Sequence, residues 1–382
     1  MTTKTLTTTA LTGILAFGLA GAAMAEIRIG ATLSETGPAS FLGDPEAKTL
    51  RMLVDEVNAA GGINGEQIEL IMYDDAGDPN RARTFATRLI EDDEVVAIIG
   101  GTTTGTTMSI MPMVDDAEIP FISLAGAIQI IDPVQPFTFK TPHTDRMACA
   151  RIFEDMQARE IMRIGMISGT DGFGASMREQ CLSIVGEYGI EVVADERYGP
   201  QDADMTPQLT NIRGEEGIQA VLNPGFGQGP SIVTRNYAQL GIDMPLYQSH
   251  GVASQGFIDL AGADAAEGVR LPGTALLVAD LLAEDDPQYD VVQAYTQAYE
   301  AAYDMPVTTF GGYAHDAFRI LVDAIERAGS SDPQDIRDAI EATDGLVGTT
   351  GIYTMSPDDH LGLDITAFRM LEIRDGGWTL VD

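Results

Sequence analysis

The chain has 382 residues, of which 45% are hydrophobic, so a core of ordinary size is available, two domains are expected and disorder is not. Its formal net charge is −36, spread along the chain without a long acidic block. That balance argues against nucleic acid and anionic membrane surfaces, both polyanions, and fits an acidic, solvated surface.

Residues 1–25 read as a secretory signal peptide. Lys4 supplies a positive start, residues 10–20 a short apolar run, and Ala23-Met24-Ala25 a small-residue cleavage site before Glu26. The run is about half of the ~20 residues a membrane span needs, so no direct membrane insertion is expected. Glu26 is not a lipid attachment residue. The expectation is a soluble, monomeric protein exported to a bacterial periplasm.

Ile27–Leu33 reads as a strand. Asp44-Pro45 predicts a helix N-cap with Pro at the first helical position, followed by Ala47, Leu50, Leu53, Val54 and Val57 at helical spacing. After a strand at Ile68–Tyr73, Asp78-Pro79 repeats the start signal ahead of Ala82, Phe85, Ala86 and Leu89. Val95–Ile99 and Ile119–Ser123 are continuous apolar runs, as in parallel strands covered on both faces. The alternation restarts after residue 145, with a helix near 146–159, a strand at Arg163–Ser168, a helix near 174–188 and strands near 191–197, 218–222 and 245–248. Residues 287–341 read as mostly helical and 348–382 as short strands around turns. The fold class is therefore α/β: two doubly wound, parallel-sheet lobes. No long linker separates them, so short crossings that suit a hinge are expected.

Ligands of open α/β sheets bind beyond the carboxyl ends of the strands, which selects four loops. Gly100-Gly101-Thr102-Thr103-Thr104-Gly105-Thr106-Thr107 opens a helix and offers hydroxyls and free amides to an anion; no Lys follows the glycines, so it suits a carboxylate better than a phosphate. A plain Thr-rich cap is the alternative. Ser123-Leu124-Ala125-Gly126-Ala127 exposes backbone groups. Phe173 and Phe226 are each flanked by glycines at loop tips, placed either to close over a ligand or to pack locally. His250 stands at the end of the strand near 245–248.

No catalytic signature is present, the four histidines lack metal-ligand spacing, and Asp358-Asp359-His360 with Asp364 reads as a polar turn rather than a cation site. Neither catalysis, nor a metal, nor a cofactor is expected; a hydrolase remains the weaker class of function. Cys149 and Cys181 lie on consecutive helices flanking one strand. In an oxidising compartment they form a disulfide or remain two buried thiols, and two cysteines alone do not make a zinc site.

Taken with Ser34-Glu35-Thr36-Gly37-Pro38, Asn58-Ala59-Ala60-Gly61-Gly62-Ile63-Asn64-Gly65, Tyr73-Asp74-Asp75, Ile119-Pro120-Phe121-Ile122-Ser123 and Ala261-Gly262-Ala263-Asp264-Ala265-Ala266-Glu267-Gly268, these loops give a sequence that resembles the periplasmic solute-binding proteins of branched-chain amino acid (Leu/Ile/Val) ABC transporters. The resemblance covers nearly all of 26–382. It implies the type 1 periplasmic binding fold, two lobes joined by three crossings that close on a ligand. Lobe 1 is then 26–145 plus 276–345, and lobe 2 is 146–275 plus 346–382. It implies a small carboxylate as ligand and an inner-membrane ABC permease as partner; a sensor feeding a chemoreceptor would share the fold. By position, the ligand-binding residues are Thr103 and Thr104 for the carboxylate, the backbones of Ala125 and Gly126, the aromatics Phe173 and Phe226, and an apolar wall at Phe41 and Leu42. Amino-acid binders hold the ammonium with a hydroxyl and an acid at positions that fall here on Ala127 and His250. Neither supplies a negative charge, so an aromatic or branched apolar acid without an α-ammonium is expected, with a branched-chain amino acid as the alternative. Gly77 and Thr103 fall where some relatives carry a disulfide, so a Cys149–Cys181 bond would be a separate one.

Overall fold

The computed structural model describes residues 26–381 together with Met1 and Thr2, so the signal-peptide reading of residues 1–25 falls almost wholly outside the described residues. The first lobe begins β1 (Glu26–Leu33), α1 (Ser40–Ala59), β2 (Gln67–Asp74), α2 (Pro79–Glu91), β3 (Ala97–Gly100), α3 (Thr104–Ala117), β4 (Phe121–Ser123) and β5 (Thr138–Lys140). Its five strands are all parallel, in the order β2-β1-β3-β4-β5.

The second lobe follows as α4 (Asp145–Ala158), β6 (Arg163–Gly169), α5 (Gly172–Ile184), β7 (Glu191–Tyr198), α6 (Thr206–Gly214), β8 (Ala220–Asn223), α7 (Gln228–Gln239), β9 (Leu246–Gln248), α8 (Gln255–Ala261), α9 (Ala263–Ala266) and β10 (Arg270–Gly273). The chain then returns to the first lobe through α10 (Tyr289–Tyr303), α11 (Thr309–Ala328), α12 (Pro333–Glu341), β11 (Leu346–Val347) and β12 (Ile352–Tyr353). It ends in β13 (Arg369–Arg374) and β14 (Gly377–Leu380). These two antiparallel strands extend the second sheet to β14-β13-β10-β9-β8-β6-β7. Among the described residues no helix is long and apolar enough to cross a membrane.

Local sequence explains most of these elements. Asp78 caps α2 by accepting from the amides of Asn80 (2.7 Å) and Arg81 (3.3 Å), with Pro79 at the first helical position. The similar Asp44-Pro45 signal does not start α1. That helix begins at Ser40, and Pro45 lies inside it. The earlier start is possible because Gly43 lets the first turn press on the backbone of Ser34, where a Cβ would come within 2.3 Å. The helix thereby carries Phe41 and Leu42 into the space between the lobes.

The C-terminal boundary also differs from the expected one. Tyr353, Met355, Leu361 and Leu363 pack in the first lobe's core with α1 and α11, not in the second lobe. Asp316 of α11 fixes them there. It accepts from the amides of Thr349 and Thr350 (2.8 Å each), and the Tyr353 hydroxyl lies 3.1 Å away. The third crossing is therefore near 364–368 rather than 346.

Cys149 of α4 and Cys181 of α5 are bonded, with Cα atoms 5.1 Å apart. The bond resolves the alternative left by the sequence, and both residues are wholly buried in the second lobe's core.

Candidate functional site

The two sheets point their strand ends at one another, and a small cavity of about 40 Å³ lies between them. A space of this size admits only a few waters, so the lobes are shut on each other. From the first lobe it is lined by Leu42, Thr102, Thr103, Thr104, Leu124, Ala125 and Gly126, with Phe310 and Tyr313 from α11. The second lobe contributes Phe173, Phe226, His250 and Gly251, and the first crossing contributes Pro142.

The anion loop is built by backbone geometry. Gly101 has φ +65° and turns the chain out of β3 into α3, a conformation favoured by glycine. Thr103 is the N-cap, and it and Thr106 satisfy each other's amides in a capping box. Its hydroxyl is thus occupied. Thr104 is different: it is buried, and its Oγ1 has no hydrogen-bond partner. A buried, unpaired hydroxyl at a helix N-terminus can donate to an anion.

Gly126 faces this loop and is held at close quarters. A Cβ added there would come within 2.8 Å of Phe173 Cε2 and 3.0 Å of His250 Nε2. Ala127 does not line the cavity; its side chain is buried in the first lobe's second core. Phe41 also stands back from the cavity, packing on Phe226 (centroids 6.4 Å apart) and edge-on to Phe310 (5.9 Å). Phe173 is edge-on to Phe226 and to His250. The aromatic rings separate the cavity from an outer groove of about 450 Å³, which shares Thr103, Thr104, Phe173 and Phe226 with it.

His250 is buried and its Nδ1 is unpartnered. Burial, with the nearby Lys140 charge adding to it, pushes its pKa down to about 3, so the ring is neutral. His143, in the first crossing, stacks on Phe368 of the third with centroids 3.6 Å apart. Its pKa is held well below the usual range, by burial first and then by His250 and Lys140. Asp171, an acid near the cleft, is used as the N-cap of α5, accepting from the amides of Phe173 and Gly174 (3.0 Å each), and lines only the outer groove.

Several neighbours of the site carry no signal in the sequence. Tyr313 lines the cavity with its buried hydroxyl unpartnered. Glu46 on α1 is buried; one oxygen accepts from Thr102 Oγ1 at 2.5 Å and the other has no partner. Burial raises its pKa well above the usual carboxylate range, against the lowering effect of Thr102. Lys140 ends β5 fully buried, donating to the carbonyls of Ala127 (3.3 Å) and His143 (3.4 Å). Glu46 and Lys140 belong to a helix and a strand, where a charge reads as solvated, and Tyr313 reads as helix core. The expected polar turn is intact: Asp359 accepts from the amides of Leu361 and Gly362, and His360 donates to the Thr138 carbonyl.

With a free hydroxyl at a helix N-terminus on one wall and aromatic rings on the other, the cavity can take a small anionic group, and an apolar body fits only when the rings move toward the outer groove. The similarities agree with a binding fold. A Leu-, Ile-, Val-, Thr- and Ala-binding protein of Pseudomonas aeruginosa is 24% identical over 336 residues, 87% of each chain. An extracellular ligand-binding receptor of Rhodopseudomonas palustris HaA2 superposes with a TM-score of 0.87 at 28% identity, covering 94% of this chain and all of the other. The substrate-binding protein of a branched-chain amino acid transporter of Streptococcus pneumoniae, solved with isoleucine, gives a TM-score of 0.83 at 23% identity over 94% of this chain and 99% of that one, a likeness of fold. The family described as periplasmic binding protein matches residues 26–377, across both lobes and all the loops that build the cavity, and the chain belongs to it.

Proposed function

We propose that this chain is the solute-binding component of an ABC importer. It captures a small carboxylate, an aromatic or branched apolar acid without an α-ammonium, and delivers it to an inner-membrane permease. One observation carries the reading: the Thr104 hydroxyl, buried and unpartnered at the N-terminus of α3, faces a cavity with no ionised acid on its wall. The carboxylate takes Thr104 and the amides around it. The apolar body takes the place against Phe173, Phe226 and Leu42. The aromatic rings swing toward the outer groove to admit it, and the ligand, touching both lobes, favours the closed state. The chemoreceptor-sensor and hydrolase readings gain no residue from this geometry.

His250 is neutral and donates or accepts one hydrogen bond without supplying a countercharge. An ammonium buried there lacks a partner, which costs several kcal/mol, so acids should be preferred over the matching amino acids by about 100-fold or more. Small molecules released on denaturing the exported protein, identified by mass spectrometry, test this directly. A thermal-shift panel of leucine, valine and phenylalanine against 4-methylpentanoate, 3-methylbutanoate and 3-phenylpropanoate gives the second test. Strong stabilisation by the amino acids alone would overturn it.

A second reading, an α-amino acid, is favoured by Glu46 and by the names of the relatives. Its free carboxyl oxygen is buried beside Thr102, which lines the cavity. To serve an ammonium it must ionise against the burial that keeps it protonated. Under this reading Glu46→Gln abolishes leucine binding; under the first it leaves acid binding within about twofold.

A further inference from the structure

We propose that Lys140 is the specificity-determining charge of this site: a cation held beneath the Gly126 floor of the cavity, favouring an anionic ligand over one bearing an ammonium. The inference deepens the carboxylate reading and rests on it.

The placement follows from the strand. Side chains alternate along β5, so Phe139 enters the first lobe's core and Lys140 points to the opposite face, under the loop after β4. Its Nζ donates to the carbonyls of Ala127 and His143. Gly126, one residue before Ala127, lines the cavity. The cation thus lies one peptide behind the surface that a ligand would touch.

Its charge is poorly compensated. Among the described residues Lys140 forms no ion pair: its Nζ bonds are to two carbonyls, and Asp145 acts on it only through space. The groups that face it are Asp145 of α4, His143 of the first crossing and His250 after β9. Both histidines are neutral. Asp145 is engaged elsewhere, accepting from the Ile128 and Arg146 amides and the Ser176 hydroxyl. Two carbonyls and a diverted carboxylate leave a buried ammonium short of partners. Burial therefore lowers Lys140 to about 7, against the raising effect of Asp145.

The consequence is a proton linkage. Near neutral pH Lys140 is only partly protonated. A carboxylate arriving on the other side of the floor stabilises the charged form, so binding draws a proton from solvent. A ligand ammonium would expel one. Because the lysine loses its charge as pH rises through about 7, acid affinity should hold below that point and fall above it.

The test needs the wild-type protein alone. Titration calorimetry with 4-methylpentanoate and 3-phenylpropanoate at pH 7.5, in two buffers of unlike ionisation enthalpy, should give a net uptake of roughly half a proton per ligand. Affinity should fall by about tenfold between pH 6.5 and 8.5, while both probes stay ionised. Lys140→Met should bind these acids on the order of tenfold more weakly at pH 6.5, with a flat pH profile and no uptake. Glu46→Gln should keep the uptake, which separates Lys140 from the buried Glu46 carboxyl, and the loss of uptake in Lys140→Met separates it from Asp145, His143 and His250. Acids that bind wild type with no proton uptake overturn the role of Lys140 and leave the carboxylate reading standing. If none of the acids binds, or only leucine and phenylalanine do, the carboxylate reading falls and this inference with it.

Discussion

The two walls of the cleft are made from different materials. The first lobe offers Thr102, Thr103, Thr104, Ala125 and Gly126, small residues on short turns after β3 and β4, with the Thr104 hydroxyl unpartnered among them. The second offers Phe173, in the first turn of α5 and not at the expected loop tip, with Phe226 after β8 and His250 after β9, all large rings. A charge needs fixed donors, because a mobile or half-solvated partner contributes little. An apolar body needs only coverage, and rings that can turn aside supply it. Under the proposed function the first wall holds the ligand's charged end and the second shuts over its apolar body. The predictions below probe this division, from the largest effect to the smallest.

Acid should act on the second wall and the hinge first. The first lobe's histidines are partnered, His315 with Asp316 (2.8 Å) and His360 with Glu341 (3.2 Å). His143 and the Nδ1 of His250 have no such partner. Both of the latter have lowered pKa values, His250 to about 3. Below about 6.5 the unfolded chain protonates them and the native state does not. Stability present above 6.5 is therefore lost as pH falls toward 3, by about 1.4 kcal/mol per pH unit for each ring. Urea midpoints between pH 7 and 4.5 should show the loss, and His143→Gln should flatten the slope by about one proton. An unchanged slope would remove the hinge cluster from the account.

The lobes also differ in covalent support, since only the second carries a disulfide. The bond closes a loop of 32 residues, for which the chain-entropy model gives about 3–4 kcal/mol. The double variant Cys149→Ser/Cys181→Ser should lose about that much in urea unfolding while ligand affinity stays within about twofold. Exported wild-type protein should show no free thiol on denaturation without reductant.

How far the sequence carries these features depends on whether the signal is local. Asp78-Pro79 is a complete start signal, and α2 begins there. Strand-end position marked the loops that carry Thr104, Gly126, Phe173, Phe226 and His250, the family resemblance singled out Thr104 and Gly126 within them, and all five line one cavity. The start of α1 was hidden because Ala39 caps nothing with its side chain and Gly43 is fixed by a contact with Ser34, distant in sequence. The family resemblance puts the hairpin 346–353 in the second lobe, but it packs in the first. Its lobe is decided by Asp316, more than 30 residues away. Glu46 and Lys140 were illegible for the same reason: the polarity that surrounds each is assembled from other elements.

On the charge-holding wall, Thr104 should matter for binding and not for folding. Its hydroxyl has no partner in the protein, so Thr104→Ala removes no internal hydrogen bond. A hydrogen bond to a charged group contributes about 1.5–3 kcal/mol, which predicts an affinity loss of roughly 10- to 100-fold. The melting temperature without ligand should move by no more than about a degree. Calorimetry showing unchanged affinity would place the carboxylate elsewhere.

The smallest effect isolates closure itself. Phe41 belongs to the first lobe and Phe226 to the second, and their centroids are 6.4 Å apart with the rings tilted by 31°. Neither ring can make this contact when the lobes are apart. Aromatic pairs contribute about 0.5–1.5 kcal/mol beyond their buried area. A double-mutant cycle of Phe41→Leu and Phe226→Leu should therefore give a coupling of about 1 kcal/mol in ligand binding. In unfolding without ligand, where the open form is sampled, the coupling should vanish. Small-angle scattering should agree, with a radius of gyration that falls on saturation with ligand. A coupling equal in both measurements would mean that the lobes stay shut without ligand, and that the rings are a fixed seam rather than a latch.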